Sequence, residues 1–299
     1  MANGNGGKNL TSRQAARLLG VSEASVKRWA DGGLLPALKT AGGHRRFRPE
    51  DVAAFRQQGA SKGTRLRSLA RLATPEGEAT QLDEKLADQM FQTLVGGQAE
   101  EAASALVNFH LQGHTAARIA DVVLCPALRI IGDLWQSGEL SVAEEHLATR
   151  TALSGLQALR AAARPGGPSG VWPAICCSVE EDFHELPVHI TALTLEAGGW
   201  EVVNLGMSTP FYALAESVAR FRPRLVCVAS TVFHHPDRAA REYVDFGAEV
   251  RRAGASVVLG GTGFAPEPVR RRFPADLHAD TFTQLEEHAA ALKSAAGGD

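Results

Sequence analysis

The sequence predicts a multidomain chain of three modules: a winged helix-turn-helix head, a four-helix bundle and a doubly wound parallel α/β sheet. Three observations predict it. A basic block occupies one end of an otherwise acidic chain, helical periods broken by glycines fill the middle, and apolar strand-like runs alternate with helical ones after a Pro and Gly-rich break. A length of 299 residues suits two or three domains.

Composition excludes several classes. An apolar content of 44% with 21% charged residues describes a globular protein, neither disordered nor membrane-spanning. No apolar run approaches the roughly 20 residues that a bilayer requires, so no membrane partner and a cytoplasmic location are expected. The N-terminus (1–9) is Gly and Asn rich without an apolar core, and is expected to be disordered. Cys125, Cys176, Cys177 and Cys227 fit no zinc spacing, which argues against a disulfide framework or a thiolate metal site. The net charge of −2 conceals thirteen Lys and Arg against four acids between Arg13 and Arg71, a block of about +9. Such a block suggests a nucleic-acid module joined to something else.

Within the head (10–58), Thr11 can cap a helix with apolar positions Ala15, Leu18 and Leu19, and Gly20 ends it. Ser22 caps a second helix, in which Val26 and Trp29 face inward while Lys27 and Arg28 face out. That order places a recognition helix in the major groove, with Ser22, Ser25, Lys27 and Arg28 as its candidate DNA contacts. Gly42 and Gly43 then permit a tight turn, so His44, Arg45 and Arg46 can reach phosphates or the minor groove while Phe47 anchors the wing. The Gly-Gly-His-Arg-Arg-Phe run closely resembles the winged helix-turn-helix domain of the MerR family from Leu10 to about Gln57. Residues 59–81 read as a linker, and no dimerisation heptad follows.

The middle module (82–163) offers helices at Leu82–Val95, Ala99–Gln112, Ala116–Trp135 and Val142–Ala162, with breaks at Gly96, Gly97, Gly113 and Gly138. Short loops between four such helices predict an antiparallel bundle. Residues 164–170 form a second linker, and the last module (171–299) carries expected strands at Val171–Val179, Val202–Leu205, Leu225–Ala229 and Ser256–Leu259. Helices are expected between them at Glu185–Ala197, Pro210–Phe221 and Asp237–Arg252. Continuously apolar strands fit a parallel sheet covered on both faces.

Ligands of open α/β sheets bind beyond the strand C-termini. There the sequence places Asp182 and His184 after the first strand, Ser230 and Val232 after the third, and Gly260 and Gly261 after the fourth. Asp182 can accept from one imidazole nitrogen of His184 and so fix the tautomer that ligates metal. A Ser230 hydroxyl could meet a buried heterocyclic nitrogen, and Gly260 and Gly261 let the backbone approach a flat ring. Glu180 and Glu181 read as a solvated acidic loop, and His234, His235, His278 and His288 as surface or loop residues. No G-x-G-x-x-G follows the first strand, which argues against NAD.

The set Asp182-x-His184, Ser230-x-Val232, Gly260-Gly261 resembles the signature of base-off, His-on cobalamin-binding Rossmann-like domains, with Pro187 where the pattern has Gly. Trp135, Glu145 and His146 keep the spacing of the helical cap in methionine synthase-like cobalamin domains. With the head, the chain resembles the CarH/LitR-like B12-dependent photoreceptor repressors. The resemblance implies that His184 is the cobalt axial ligand, that Trp135 is a lid with Glu145 and His146 beside it, and that adenosylcobalamin is the cofactor. It further implies a homo-oligomer, dimer or tetramer, that binds a double-stranded DNA operator and is released by light. Gln136 stands where light-responsive members have His. The alternatives are therefore a regulator without light response, with corrin binding weakened or lost, and a corrinoid-carrier enzyme. The head, and the lack of a substrate barrel, argue that the chain is not an enzyme.

Overall fold

The computed structural model describes residues 9–163 and 172–296, except 20–22, 32, 34, 41, 42, 50, 53, 54 and 56–80. Both expected linkers, apart from Gln81, and the expected disordered terminus, apart from Asn9, lie outside the described residues, as do the expected stop Gly20 and cap Ser22. The chain forms two compact units, one of Met1–Gly97 with Pro126–Arg150, the other of Gln98–Cys125 with Thr151–Asp299.

The first unit begins with β1 (Leu10–Thr11), α1 (Ser12–Leu19) and α2 (Glu23–Asp31). The Thr11 hydroxyl accepts from the Gln14 amide at 3.2 Å while Gln14 Oε1 accepts from the Thr11 amide at 2.9 Å. This capping box satisfies two donors at the helix start. β2 (Leu38–Lys39) and β3 (Arg45–Phe47) complete a three-stranded antiparallel sheet in the order β1-β3-β2. Ala15, Val26, Trp29, Leu35 and Phe47 form its core, with Trp29 and Phe55 ring centroids 5.0 Å apart. Leu18, expected inside, is half exposed, while Ala15 and Ala16 are buried.

The same unit contains α3 (Gln81–Val95), α6 (Cys125–Ser137) from Pro126 onward and the start of α7 (Val142–Ala163). Ser141 and Glu144 form a second capping box at the start of α7: the Glu144 carboxylate accepts from the Ser141 amide at 2.8 Å, and Ser141 Oγ from the Glu144 amide at 3.2 Å.

The second unit holds α4 (Ala99–Leu111), α5 (Ala116–Ile119) and the remainder of α7. The single helix expected over Ala116–Trp135 is interrupted: Ala120–Leu124 adopts a π-helical turn between α5 and α6. A π turn accommodates one extra residue while leaving the apolar spacing readable as α-helix. It carries Asp121, whose carboxylate accepts from the Phe282 and Thr283 amides at 2.8 Å each and from the Thr283 hydroxyl at 2.7 Å.

The sheet is the centre of this unit. Its strands are β4 (Pro173–Val179), β5 (Glu201–Thr209), β6 (Leu225–Ala229), β7 (Ser256–Gly260) and β8 (Leu277–Ala279), all parallel in the order β5-β4-β6-β7-β8. Between them run α8 (Glu185–Ala197), α9 (Phe211–Phe221), α10 (Pro236–Ala253) and the short α11 (Glu267–Arg270), and α12 (Phe282–Ala296) closes the chain. Two apolar layers cover the sheet. Phe211, Tyr243, Phe246 and Phe273 pack with Ile175, Val226 and Leu259, while Val188, Leu195, Trp200 and Leu285 pack with Ala174, Leu225 and Val258. Burial on both sides is why these strands read as unbroken apolar runs.

The observed β5 extends beyond the expected Val202–Leu205, and β8 has no expected counterpart. His278 therefore lies in an edge strand, with Nε2 2.9 Å from the Phe273 carbonyl oxygen, and His288 lies in α12, with Nε2 2.9 Å from Ser256 Oγ.

Candidate functional site

In the order β5-β4-β6 the chain leaves β4 toward one side and reaches β6 on the other, so the sheet has its topological switch between β4 and β6. Crevices outside such a switch are where doubly wound sheets hold ligands. The loop leaving β4 is residues 180–184 and the loop leaving β6 begins at Ser230.

Asp182 joins the two loops. It is buried, 1% exposed, and its carboxylate serves both sides. Oδ1 accepts from His184 Nδ1 at 2.6 Å and from the His184 amide at 3.1 Å, while Oδ2 accepts from the Thr231 amide at 2.6 Å and the Val232 amide at 3.5 Å. An ionised carboxylate can only accept, so the Nδ1 proton belongs to His184, and in the neutral ring the lone pair is on Nε2. Burial pushes the Asp182 carboxyl upward, but donation from the His184 ring and from the Thr231 and His184 amides, with the nearby imidazole charge, outweighs it and leaves the group below its ordinary value. The His184 side chain is 51% exposed and the residue occupies the N-cap position of α8, with Pro187 in the helix's first turn. Pro costs little there because its missing N–H would have no helical partner. Phe183 beside it is largely exposed, as is part of Val232.

Ser230 is fully buried, and its hydroxyl donates to the Val232 carbonyl at 3.3 Å instead of projecting toward a ligand. The glycine loop also plays a different part from the expected one. A Cβ on Gly261, whose φ is +96°, would collide with the Ser230 carbonyl oxygen, and one on Gly263 with the Ser230 hydroxyl. Gly260, by contrast, would place its Cβ 3.3 Å from the Ala279 carbonyl oxygen. The glycines thus bring two backbones together, with the Gly263 amide donating to the Ser230 carbonyl at 2.8 Å and Thr262 Oγ1 to the Thr231 carbonyl at 2.9 Å.

Glu180 and Glu181 form a partly exposed acidic loop that is ion-paired as well as solvated. Glu180 pairs with Arg238, and Glu181 with His235 at 3.1 Å and with Arg238 at 3.7 Å. Both partners are more than 50 residues away in sequence, which hides them from a local reading. His234 and His235 line a small cavity of about 10 Å³ with Glu180, Phe211, Phe233 and Glu242, room for about one water. Cys176, Cys177 and Cys227 are buried free thiols, and burial pushes Cys177 up to about 12. None is a ready nucleophile.

The remaining expected site residues fall in the first unit. Trp135 is 47% exposed at the end of α6, Glu145 accepts from the Thr149 hydroxyl at 2.8 Å, and the 72% exposed His146 lies 3.7 Å from Glu145. In the head, His44 and Lys27 are exposed, Lys27 pairs with Glu23 at 2.9 Å, and Arg45 and Arg46 lie in β3. Ser22 and the side chains of Ser25 and Arg28 lie outside the described residues.

The chain matches the family description "Helix-turn-helix domain" over residues 10–60 and "B12 binding domain" twice, over 86–160 and 173–290. It combines a helix-turn-helix domain with B12-binding domains, the make-up of a DNA-binding transcriptional regulator. It is similar to the HTH-type transcriptional repressor CarH of Myxococcus xanthus, with 29% identity over 279 residues, covering 83% of this chain and 87% of that protein. The HTH-type transcriptional repressor CarA of the same organism is 26% identical over 265 residues, or 85% of this chain and 87% of its own. A 47-residue stretch, 15% of this chain and 18% of the relative, is 53% identical to the transcriptional repressor DcmR of Methylorubrum extorquens. Among solved structures, the Methanosarcina barkeri monomethylamine corrinoid protein superposes with a TM-score of 0.56 at 16% identity, covering 71% of this chain and 99% of that one. That likeness shows the fold.

Sequence reasoning missed Ser178, Ser208, the Thr231 amide and Gly263. Ser178 left one usable trace: a hydroxyl within the apolar run Pro173–Val179 must find a partner inside the fold.

Proposed function

We propose that this chain is a repressor whose oligomeric state and operator binding are controlled by adenosylcobalamin and by light. The Asp182–His184 pair carries the reading. A half-exposed imidazole at the switch of a parallel sheet, its Nδ1 held by a buried carboxylate, would serve as a nitrogen donor to a metal. Asp182 and His184 would hold the group from below. The loops carrying Ser230, Val232, Gly260 and Gly261 would contact it as well, and Trp135, Glu145 and His146 are the helical module's candidate contacts. When bound, the cofactor supplies a light-sensitive cobalt to carbon bond.

The resemblance to winged MerR heads supports assigning Lys27, Arg28, His44, Arg45 and Arg46 to DNA backbone and groove, with Ser22 and Ser25 on the recognition helix. The helical content of Gln81–Ala163, α3 to α7, supports the proposed bundle. A ligand that favours one assembly state raises operator affinity because several heads then bind together. A cytoplasmic location follows from that role.

Mixing purified protein with adenosylcobalamin in the dark tests the reading. A visible spectrum should co-elute, His184→Ala should change it, and illumination should alter both oligomer size and operator retention. Absence of a co-eluting spectrum would overturn the cobalamin reading. A spectrum with an assembly state indifferent to light would favour the second reading, a cobalamin sensor without light response, which Gln136 supports.

A further inference from the structure

The loop that presents Asp182 and His184 has an unusual backbone. Glu181 has a φ of +63° and Ser208, facing it from the end of β5, a φ of +54°. Each side chain costs about 1 kcal/mol in that left-handed region, so the surroundings must hold both in place.

Two hydroxyls do so. Ser178, 1% exposed, donates through Oγ to the Asp182 carbonyl at 2.7 Å and accepts from the Ser208 amide at 3.0 Å. The Ser208 amide also reaches the Asp182 carbonyl at 3.2 Å, and Ser208 Oγ accepts from the Glu181 amide at 3.0 Å. The turn before the carboxylate is therefore pinned at both of its peptides, one from inside β4 and one from β5. With that backbone held, the Asp182 carboxylate lies between the Thr231 amide and the His184 ring.

We propose that Ser178 and Ser208 are positioning residues for His184: acting through the backbone of Glu181 and Asp182, they hold the imidazole in its Nδ1–H form with Nε2 as the ligating nitrogen. This rests on the reading of His184 as an axial ligand. Neither serine touches the ligand. Their effect is to cut the reorganisation that the histidine needs on binding.

The test uses the full chain without cofactor. Nitrogen-correlated NMR of the histidine side chains at mildly alkaline pH, with the His184 signal assigned by its loss in His184→Gln, reports the tautomer directly. The wild type should show His184 as a single Nδ1–H form. Ser178→Ala and Ser208→Gly should each give a tautomer mixture, while Ser217→Ala, which removes a hydroxyl bonded to the Ala213 carbonyl on α9, should not. Ser208→Gly suits the left-handed backbone and so keeps the fold while deleting the hydroxyl. Added hydroxocobalamin should bind about 10-fold more weakly to both variants. A single Nδ1–H tautomer in both variants overturns the positioning role, whether or not cobalamin binds. Mixed tautomers with no cobalamin bound even by the wild type uphold the positioning role and overturn the axial-ligand reading instead.

Discussion

Asp182 holds His184 twice, by its ring at 2.6 Å and by its amide at 3.1 Å, both through one carboxylate oxygen. The ring and the backbone amide of the residue that precedes α8 are thus held by the same carboxylate oxygen.

Asp182→Ala should lower stability by about 2 kcal/mol, since it strands the Thr231 amide in a partly buried setting. Asp182→Asn keeps the shape but loses the charge. Because the folded carboxyl is held below its ordinary value, its contribution is fully present above that ordinary value and is lost as pH falls through the folded one. Urea melts of wild type and Asp182→Asn should thus differ at neutral pH and converge in acid. A gap that widens in acid would contradict the assignment.

Gly261→Ala combines a φ of +96° with a collision against the Ser230 carbonyl oxygen. It should cost about 2 kcal/mol or more, and cobalamin affinity should fall with it. Gly113→Ala, also at positive φ but with nothing near its Cβ, should keep cobalamin affinity. Equal loss of affinity in the two variants would show that the close approach to Ser230 is immaterial.

Asp121→Ala should remove the cap of α12 at a cost of about 1 kcal/mol. Hydrogen exchange should locate the change at the Phe282 and Thr283 amides. Unchanged protection there would mean that the π turn carrying Asp121 has no bearing on α12.

In the head, Arg45→Ala or Arg46→Ala should weaken DNA binding across sequences and reduce the salt dependence by about one ion per arginine. Phe47→Ala, emptying a fully buried position, should cost about 3–5 kcal/mol and unfold the small head. Band-shift titrations at several salt concentrations separate these effects: the arginine variants change slope, the phenylalanine variant loses binding outright.

Much of this was legible from the residues alone. Leu225–Ala229 and Glu185–Ala197 match their expected bounds because unbroken apolar runs and helical spacing are local signals. Asp182 and His184 were legible as a pair because both sit where a strand ends. The amides of Thr231 and Val232 were not, because a backbone donor has no residue signature. The π turn at Ala120–Leu124 stayed hidden because an added residue leaves the apolar pattern of a helix intact. Glu180 and Glu181 misled for lack of any local hint of Arg238 and His235. Three-residue β8 offered too short a run to be recognised, with a histidine in its middle.

The link from Asp182 to Thr231 spans 49 residues of sequence. During synthesis the loop bearing His184 leaves the ribosome long before the strand that completes it, and until β6 docks beside β4 the carboxylate lacks half of its donors. Closure of so long a loop is a slow, late event in folding. A refolding chain should therefore regain its fixed imidazole only with the whole sheet, and a newborn or damaged chain should be unable to capture cofactor prematurely.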